Sequence, residues 1–343
     1  MKALVYHGKK DVRYESVAEQ SEIGPQEVRL KVKYAGLCHT DFNEYLNGPL
    51  FIAKTPHPRT RRSIPIVIGH EFSGEVVAIG SEVSNLKVGD VVAVDPSLYC
   101  GHCRQCRLGR FNLCENWNAI GVGSANGACA ELVAVPAANA FRLPTDIPRF
   151  WGALVEPLSC AVHGLDQVDL QVAGSYLIYG AGTMGLLLAQ LAKDSGASQV
   201  DIIDTNAKRH ALAKKLAADR TAVSADELDQ PQGWDVVIDA TGVVRAIEDG
   251  LRRVSRGGTF LMFGVANADA TATFSPFRVY NDEIKIIGSM AVLHSFERAL
   301  ALLERGVIDC EAMITNRFSL DEYSKAIDTF LGGGGLKVQV GPK

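Results

Sequence analysis

Four cysteines, Cys100, Cys103, Cys106 and Cys114, stand in a C-x-x-C-x-x-C-x7-C spacing that lets them converge on one tetrahedral all-thiolate zinc. A metal held by four thiolates has no open position for a substrate, so this lobe, about residues 96–116, is expected to act as a structural clip. A redox centre or a disulfide pair fits the spacing less well. A second constellation of another kind lies upstream, in Cys38-His-Thr-Asp and Gly69-His70-Glu71. An open catalytic zinc needs about three protein ligands and a position that water or an alcohol can fill. Cys38, His70 and one or two carboxylates meet that requirement. Each of the two segments follows a strand-like run, Lys33-Tyr-Ala-Gly-Leu and Ile66-Val-Ile-Gly69, so both can present ligands from turns of one scaffold. A further carboxylate, Glu156, sits in the apolar stretch Leu154-Val-Glu-Pro-Leu158. A buried carboxylate needs a partner, which zinc or a nearby arginine would supply. Cys160, one helical turn on, is a competing ligand or a core residue, and Cys129 and Cys310 read as buried hydrophobes.

Downstream, Gly180-x-Gly182-x-x-Gly185 separates the apolar run Tyr176-Leu-Ile-Tyr from Leu186-Leu-Leu. Glycines between a strand and a helix let the backbone approach a pyrophosphate and turn helix N–H groups toward it. The motif alone is weak, but Asp201-Ile-Ile-Asp204 closes the next apolar run, where a carboxylate can accept hydrogen bonds from an adenosine ribose. Asp204 would repel a 2′-phosphate, which favours NAD over NADP. Lys208 and Arg209 follow closely and weaken that preference unless they are solvated or border the diphosphate.

These residues need a scaffold, and the remaining sequence describes one. The first 140 or so residues alternate β-branched runs with glycine turns, as in Glu27-Val-Arg-Leu-Lys-Val-Lys and Asp90-Val-Val-Ala-Val, an all-β pattern. Composition changes near Trp151. Helical stretches (186–194, 208–216) then alternate with apolar strands, which argues a doubly wound parallel sheet and an α/β class overall. A helix over 295–305 and a final strand from Lys337 suggest that the tail rejoins the first domain. The expected boundaries are 1–148, 149–287 and 288–343. The 343 residues, 47 % of them hydrophobic, can bury two cores. The net charge of −4, from 35 basic and 39 acidic residues, argues against nucleic-acid binding. The one dense basic run, Arg59-Thr-Arg-Arg62, reads as a solvated loop. The N-terminal segment has neither a long apolar run nor a cleavage site, so a cytoplasmic location without membrane contact is expected.

Several segments carry a family resemblance: Gly69-His-Glu-Phe-Ser-Gly-Glu-Val-Val-Ala-Ile-Gly80, Val88-Gly-Asp-Val-Val92, the cysteine lobe, Glu156-Pro157 and Tyr179-Gly-Ala-Gly-Thr-Met-Gly185. The chain resembles the zinc-dependent medium-chain dehydrogenase/reductase superfamily over nearly its whole length. Within it, the sorbitol, threonine and butanediol dehydrogenases are nearer than ethanol dehydrogenases, which usually have cysteine where Glu156 stands. The resemblance implies a GroES-like β domain beside a Rossmann domain, two zincs per chain, and a dimer or tetramer. It implies that Cys38, His70 and Glu71 ligate the catalytic zinc, with Glu156 either ligating it or holding its water. It further implies that Thr40 passes the substrate proton outward and that His39 borders the cofactor phosphates. Cofactor contacts are expected at Gly180, Gly182, Thr183, Met184, Gly185, Asp204, Arg209, Thr241, Val265 and Ser289. The expected substrate is a secondary hydroxyl of a polyol such as an arabinitol, xylitol, galactitol or sorbitol. A short vicinal diol competes, because the segment 43–60 resembles the corresponding loop of butanediol dehydrogenases. Sorbitol dehydrogenases generally carry an arginine near Ala291, and this chain has Ser289-Met-Ala-Val there. Glu44, Tyr45 and His294 are candidates to bind substrate hydroxyls.

Overall fold

The computed structural model describes residues 1–19, 22–170 and 172–343. The chain forms two compact units: 1–157 with 292–304 and 310–343, and 158–291 with 305–309.

The first unit is built mainly of β-structure. Its largest sheet runs Ala140–Arg142, Val91–Val94, Glu71–Ile79, Glu27–Gly36, Lys337–Gly341, Ile314–Ser319, with Leu132–Pro136 also paired to Glu27–Gly36. Strand Glu27–Gly36 alternates as its sequence dictates: Val28, Leu30 and Val32 are buried in the core beside Val76, Val92 and Val133, while the intervening residues face the other side of the pleat. Its antiparallel register sets Gly36 opposite Glu71. The exit of one strand, toward Cys38, therefore adjoins the entry of the other, just after His70.

The tail closes this sheet, but not as one uninterrupted block from 288. Residues 305–309 stay with the second unit, held where Gln190 accepts the Asp309 N–H at 2.9 Å. The first unit also extends to Pro157, past the expected boundary at 148. Ser73 donates to the Arg149 carbonyl at 3.0 Å and Gln339 to the Phe150 carbonyl at 2.7 Å, which ties the segment after 148 to the β-sheet. Within helix Phe296–Glu304, the residues Phe296, Ala299, Leu300 and Leu303 are buried, the i, i+3, i+4, i+7 stripe of an amphipathic helix.

The second unit is a six-stranded, wholly parallel sheet in the order Arg220–Ala222, Gln199–Ile203, Ser175–Tyr179, Trp234–Asp239, Val254–Met262, Lys285–Gly288. Numbered along the chain this order is 3-2-1-4-5-6, the doubly wound Rossmann arrangement, whose switch point lies beside the first strand. Helix Thr183–Asp194 follows that strand through the glycine turn. No helix among the described residues is long and apolar enough to cross a membrane.

Candidate active site and cofactor site

Cys38 caps the helix His39–Asn47. The turn expected at Cys38 is followed directly by a helix, which His-Thr-Asp-Phe-Asn-Glu-Tyr-Leu-Asn hides because it has too few apolar residues for a 3.6 period to stand out. Asp41, at the third helical position, accepts the Cys38 N–H at 2.9 Å. Its other oxygen lies 3.4 Å from Nδ1 of His70. One carboxylate thus holds the backbone of one candidate ligand by a hydrogen bond and lies within ion-pair range of the ring of another, the side from which outer carboxylates fix metal-binding histidines. The sequence signal for Asp41 is an acid three residues after a helix cap.

The ligand atoms of Cys38, His70 and Glu71 all lie within 4.8 Å of one another. His70 and Glu71 are buried and Cys38 is half-buried. Burial alone would lower the His70 imidazole, but Asp41 and then Cys38 carry it well above its ordinary value. Glu71 has a second partner that sequence reasoning missed. Lys337, fully buried, donates to Glu71 Oε2 at 2.5 Å and to the Leu37 carbonyl at 3.3 Å. Burial pulls the Lys337 ammonium down, while Glu71 and Cys38 hold it above its usual range, with a smaller contribution from Glu156. Glu156, at the start of helix Val155–Asp166 and 8 % exposed, therefore belongs to the same charge cluster. Gly36 makes room for it all: a Cβ there would stand 2.2 Å from Glu71 Oε2.

A thiolate, an imidazole and one or two carboxylates suit zinc, which takes sulfur, nitrogen and oxygen donors together, and the three residues converge as such an ion requires. Thr40 stands two residues after Cys38, its Oγ1 at 3.6 Å from Sγ. His39 is exposed and tilts over Phe330, ring centroids 5.7 Å apart. None of the three candidate hydroxyl binders has this setting. The Glu44 carboxylate, 1 % exposed, accepts the N–H groups of Leu50, Phe51 and Ile52 and so anchors the loop after its helix. Tyr45 is half-buried against the core. His294 Nε2 donates to the Gly109 carbonyl at 3.1 Å and packs edge-on to Phe111; both neighbours belong to the cysteine lobe.

In that lobe the four sulfurs also lie within 4.8 Å of one another, and none is in a disulfide. Cys100 Sγ and Cys106 Sγ are 4.0 Å apart, near the ~3.8 Å edge of a tetrahedron with 2.3 Å zinc–sulfur bonds. Backbone N–H groups of Cys103, Cys106 and Asn116 point at sulfur from 3.3 to 3.5 Å, and such donors favour thiolates. The N–H groups of Cys106 and Glu115 lower Cys103 to about 6. Cys129 and Cys310 are buried as expected, whereas Cys160 is half-buried.

The second unit assembles the nucleotide motif. A Cβ on Gly185 would meet the Gly180 carbonyl oxygen at 1.8 Å, so only glycine lets the helix start this close to the strand. Gly182 is the helix cap, with no side chain capping the first turn that begins at Thr183 and Met184, an end suited to an anion. Asp204 accepts the Ala181 N–H at 2.7 Å and the Asn206 N–H at 2.7 Å, with Arg209 Nη1 at 3.4 Å. Asp201 takes no such position: it is buried and bound by Arg220 and Trp234. Thr241 donates to Asp239 at 2.6 Å, Val265 is 68 % exposed, and the Ser289 N–H reaches the Met262 carbonyl at 3.3 Å. All three follow C-terminal ends of sheet strands, the edge where doubly wound sheets bind ligands.

Residues 24–145 match the family model for the alcohol dehydrogenase GroES-like domain, and residues 183–305 match that for zinc-binding dehydrogenases. D-arabinitol dehydrogenase 1 of Uromyces fabae is 37 % identical, covering 100 % of this chain and 97 % of its own. L-threonine 3-dehydrogenase of Alteromonas mediterranea is 35 % identical over 92 % of each. Among solved structures, a zinc-binding dehydrogenase of Sinorhizobium meliloti bound to NADP superposes with a TM-score of 0.91 at 33 % identity and covers 99 % of both chains. With these relatives, a GroES-like β unit and a Rossmann sheet, the chain belongs to the zinc-dependent medium-chain dehydrogenase/reductase superfamily, in its polyol dehydrogenase-like branch, and is an alcohol/polyol dehydrogenase.

Proposed function

We propose that this enzyme oxidises a secondary hydroxyl of a sugar alcohol, such as an arabinitol, xylitol, galactitol or sorbitol, to the ketose, reversibly and with NAD as hydride acceptor. The observation that carries the reading is the convergence of Cys38, His70 and Glu71, braced by Asp41 and Lys337. Those three residues would hold a catalytic zinc, with Glu156 as a further ligand or as the holder of its water, and the four lobe cysteines would hold a second, structural zinc. Bound there, the catalytic ion supplies Lewis acidity that makes a hydroxyl a better acid at neutral pH.

The chain's own residues do the rest. Thr40 receives the substrate proton at Oγ1 and passes it outward, with His39 on the exposed side of the same helix turn. Asp41 keeps the His70 ring and the Cys38 backbone in place. Lys337 offsets the charge that Glu71 and Glu156 bring into a buried site, since unpaired buried carboxylates are costly. The glycine turn and the uncapped helix start receive the cofactor pyrophosphate.

Asp204 supports NAD, because its carboxylate would repel a 2′-phosphate. The neighbouring Arg209 is the feature on which NADP use would depend. Asp204→Asn keeps an acceptor for Ala181 and removes the charge. It is expected to raise the ratio of kcat/KM with NADP to that with NAD at least about tenfold, or ~1.4 kcal/mol. An unchanged ratio would show that Asp204 does not read the ribose.

Reduced-nicotinamide formation across pentitols, hexitols, 2,3-butanediol stereoisomers and L-threonine, before and after chelation, tests the whole reading. Chelator-sensitive turnover of one polyol supports it. Preference for butanediol would favour the vicinal-diol reading drawn from segment 43–60, and preference for L-threonine would overturn both.

A further inference from the structure

The basic run after the first helix has no part in the chemistry above. Lys54, Arg59, Arg61 and Arg62 fall within nine residues, and no aspartate or glutamate occurs between Glu44 and Glu71. All four are exposed. Elsewhere on the chain many arginines and lysines meet carboxylates, as Arg220 meets Asp201 and Arg253 meets Asp226. Among the described residues no ion pair engages the four in this loop.

The loop is nevertheless a built structure. The Ile64 N–H reaches the Ala53 carbonyl at 3.1 Å and closes its base. At its tip the His57 N–H donates to the Arg62 carbonyl at 2.9 Å, and the Arg61 N–H to the His57 carbonyl at 2.8 Å. Nδ1 of His57 accepts the Arg59 N–H at 3.2 Å. Burial, and then the Arg59 charge, lower the His57 imidazole, so it serves as a neutral acceptor that shapes the turn while the four longer side chains carry the charge. Arg61 holds φ +58°, a left-handed conformation that glycine or asparagine would adopt more cheaply.

Both roots of the loop lead to the metal-ligand cluster. On one side Glu44, in the helix that Cys38 caps, fixes the N–H groups of Leu50 to Ile52. On the other, strand Ile66–Val67 runs directly into Gly69-His70-Glu71.

We infer that this loop receives an anionic group, a phosphate monoester or a carboxylate, at the end of the substrate chain remote from the reacting hydroxyl, so that the preferred substrate is a charged sugar alcohol. Arginine suits both anions through paired N–H donors. The inference rests on the dehydrogenase reading of the Cys38, His70 and Glu71 cluster.

The zinc-loaded full chain is assayed with a hexitol, its terminal phosphate monoester and the matching aldonate. The charged substrate is expected to exceed the neutral one at least tenfold in kcat/KM, mainly through KM, and the advantage should shrink as salt screens it. In the triple variant Arg59→Gln, Arg61→Gln, Arg62→Gln the ratio of charged to neutral substrate should fall to near one, and the triple Arg→Lys variant should keep part of it. Arg61→Gly should raise the urea midpoint while lowering the ratio, a combination that general structural damage does not give. Which of the two anions is favoured distinguishes phosphate from carboxylate. A hexitol oxidised as well as its charged forms, or a ratio that survives the triple variant, overturns this inference and leaves the dehydrogenase reading standing. Failure of all three substrates and of the neutral polyol panel overturns both.

Discussion

His70→Ala is expected to lower kcat/KM at least about 10³-fold, since Lewis-acid activation of a hydroxyl contributes several kcal/mol and ~4 kcal/mol corresponds to that factor. The imidazole is one of three buried donors drawn together, and the two that remain are too few for a catalytic zinc, which usually has three protein ligands. The substitution leaves a space that water can enter, and it lies away from the cysteine lobe in sequence and in bonding. The expected product is therefore a folded, nearly inactive chain that keeps one zinc. Full activity in this variant would mean that the hydroxyl is activated elsewhere.

The second large effect concerns stability. Cys106→Ser removes a sulfur that is 5 % exposed and sits in the middle of the lobe. A metal present at about a thousand times its dissociation constant stabilises the folded chain by ~4 kcal/mol. At roughly 2–4 °C per kcal/mol for a unit of this size, losing it should lower the thermal midpoint by about 8–16 °C. Calorimetry together with a zinc count checks this. The expected variant has lost the lobe zinc and retained the catalytic one. An unchanged midpoint with an unchanged metal count would contradict the assignment of the lobe as a structural zinc site.

The sequence made the two clusters of candidate metal donors legible because coordination restricts both residue type and spacing. Three cysteines at three-residue spacing and a fourth downstream leave few alternatives, and Cys38 and His70 stand at the ends of recognisable strands. The glycine turn was legible for a related reason: Gly185 has no room for a Cβ, so the fold demands one residue there. The partners of those residues were harder to read. Lys337 meets Glu71 across 266 positions of sequence, and a lone lysine at the start of a strand gives no local sign of that. Glu44 is a candidate hydroxyl binder by sequence, yet its partners are backbone N–H groups, which leave no trace in side-chain type. The helix His39–Asn47 escaped because its stability comes from its cap and from packing of Phe42 on Phe330, 3.9 Å apart and nearly parallel, and not from periodicity. The domain boundary moved for a similar reason: the segment after 148 is tied to the β-sheet by the Ser73 and Gln339 side chains, contacts invisible from either segment alone.

A metal at Cys38, His70 and Glu71 is expected to be required for alcohol oxidation, and the lobe metal is not. The most direct test is graded chelation of the intact enzyme, with zinc content and polyol-dependent nicotinamide reduction followed in the same sample. Activity is expected to fall in proportion to the first zinc lost per chain, the second zinc to remain with a folded lobe, and added zinc to restore turnover. Full activity in a chain stripped of both metals would contradict it.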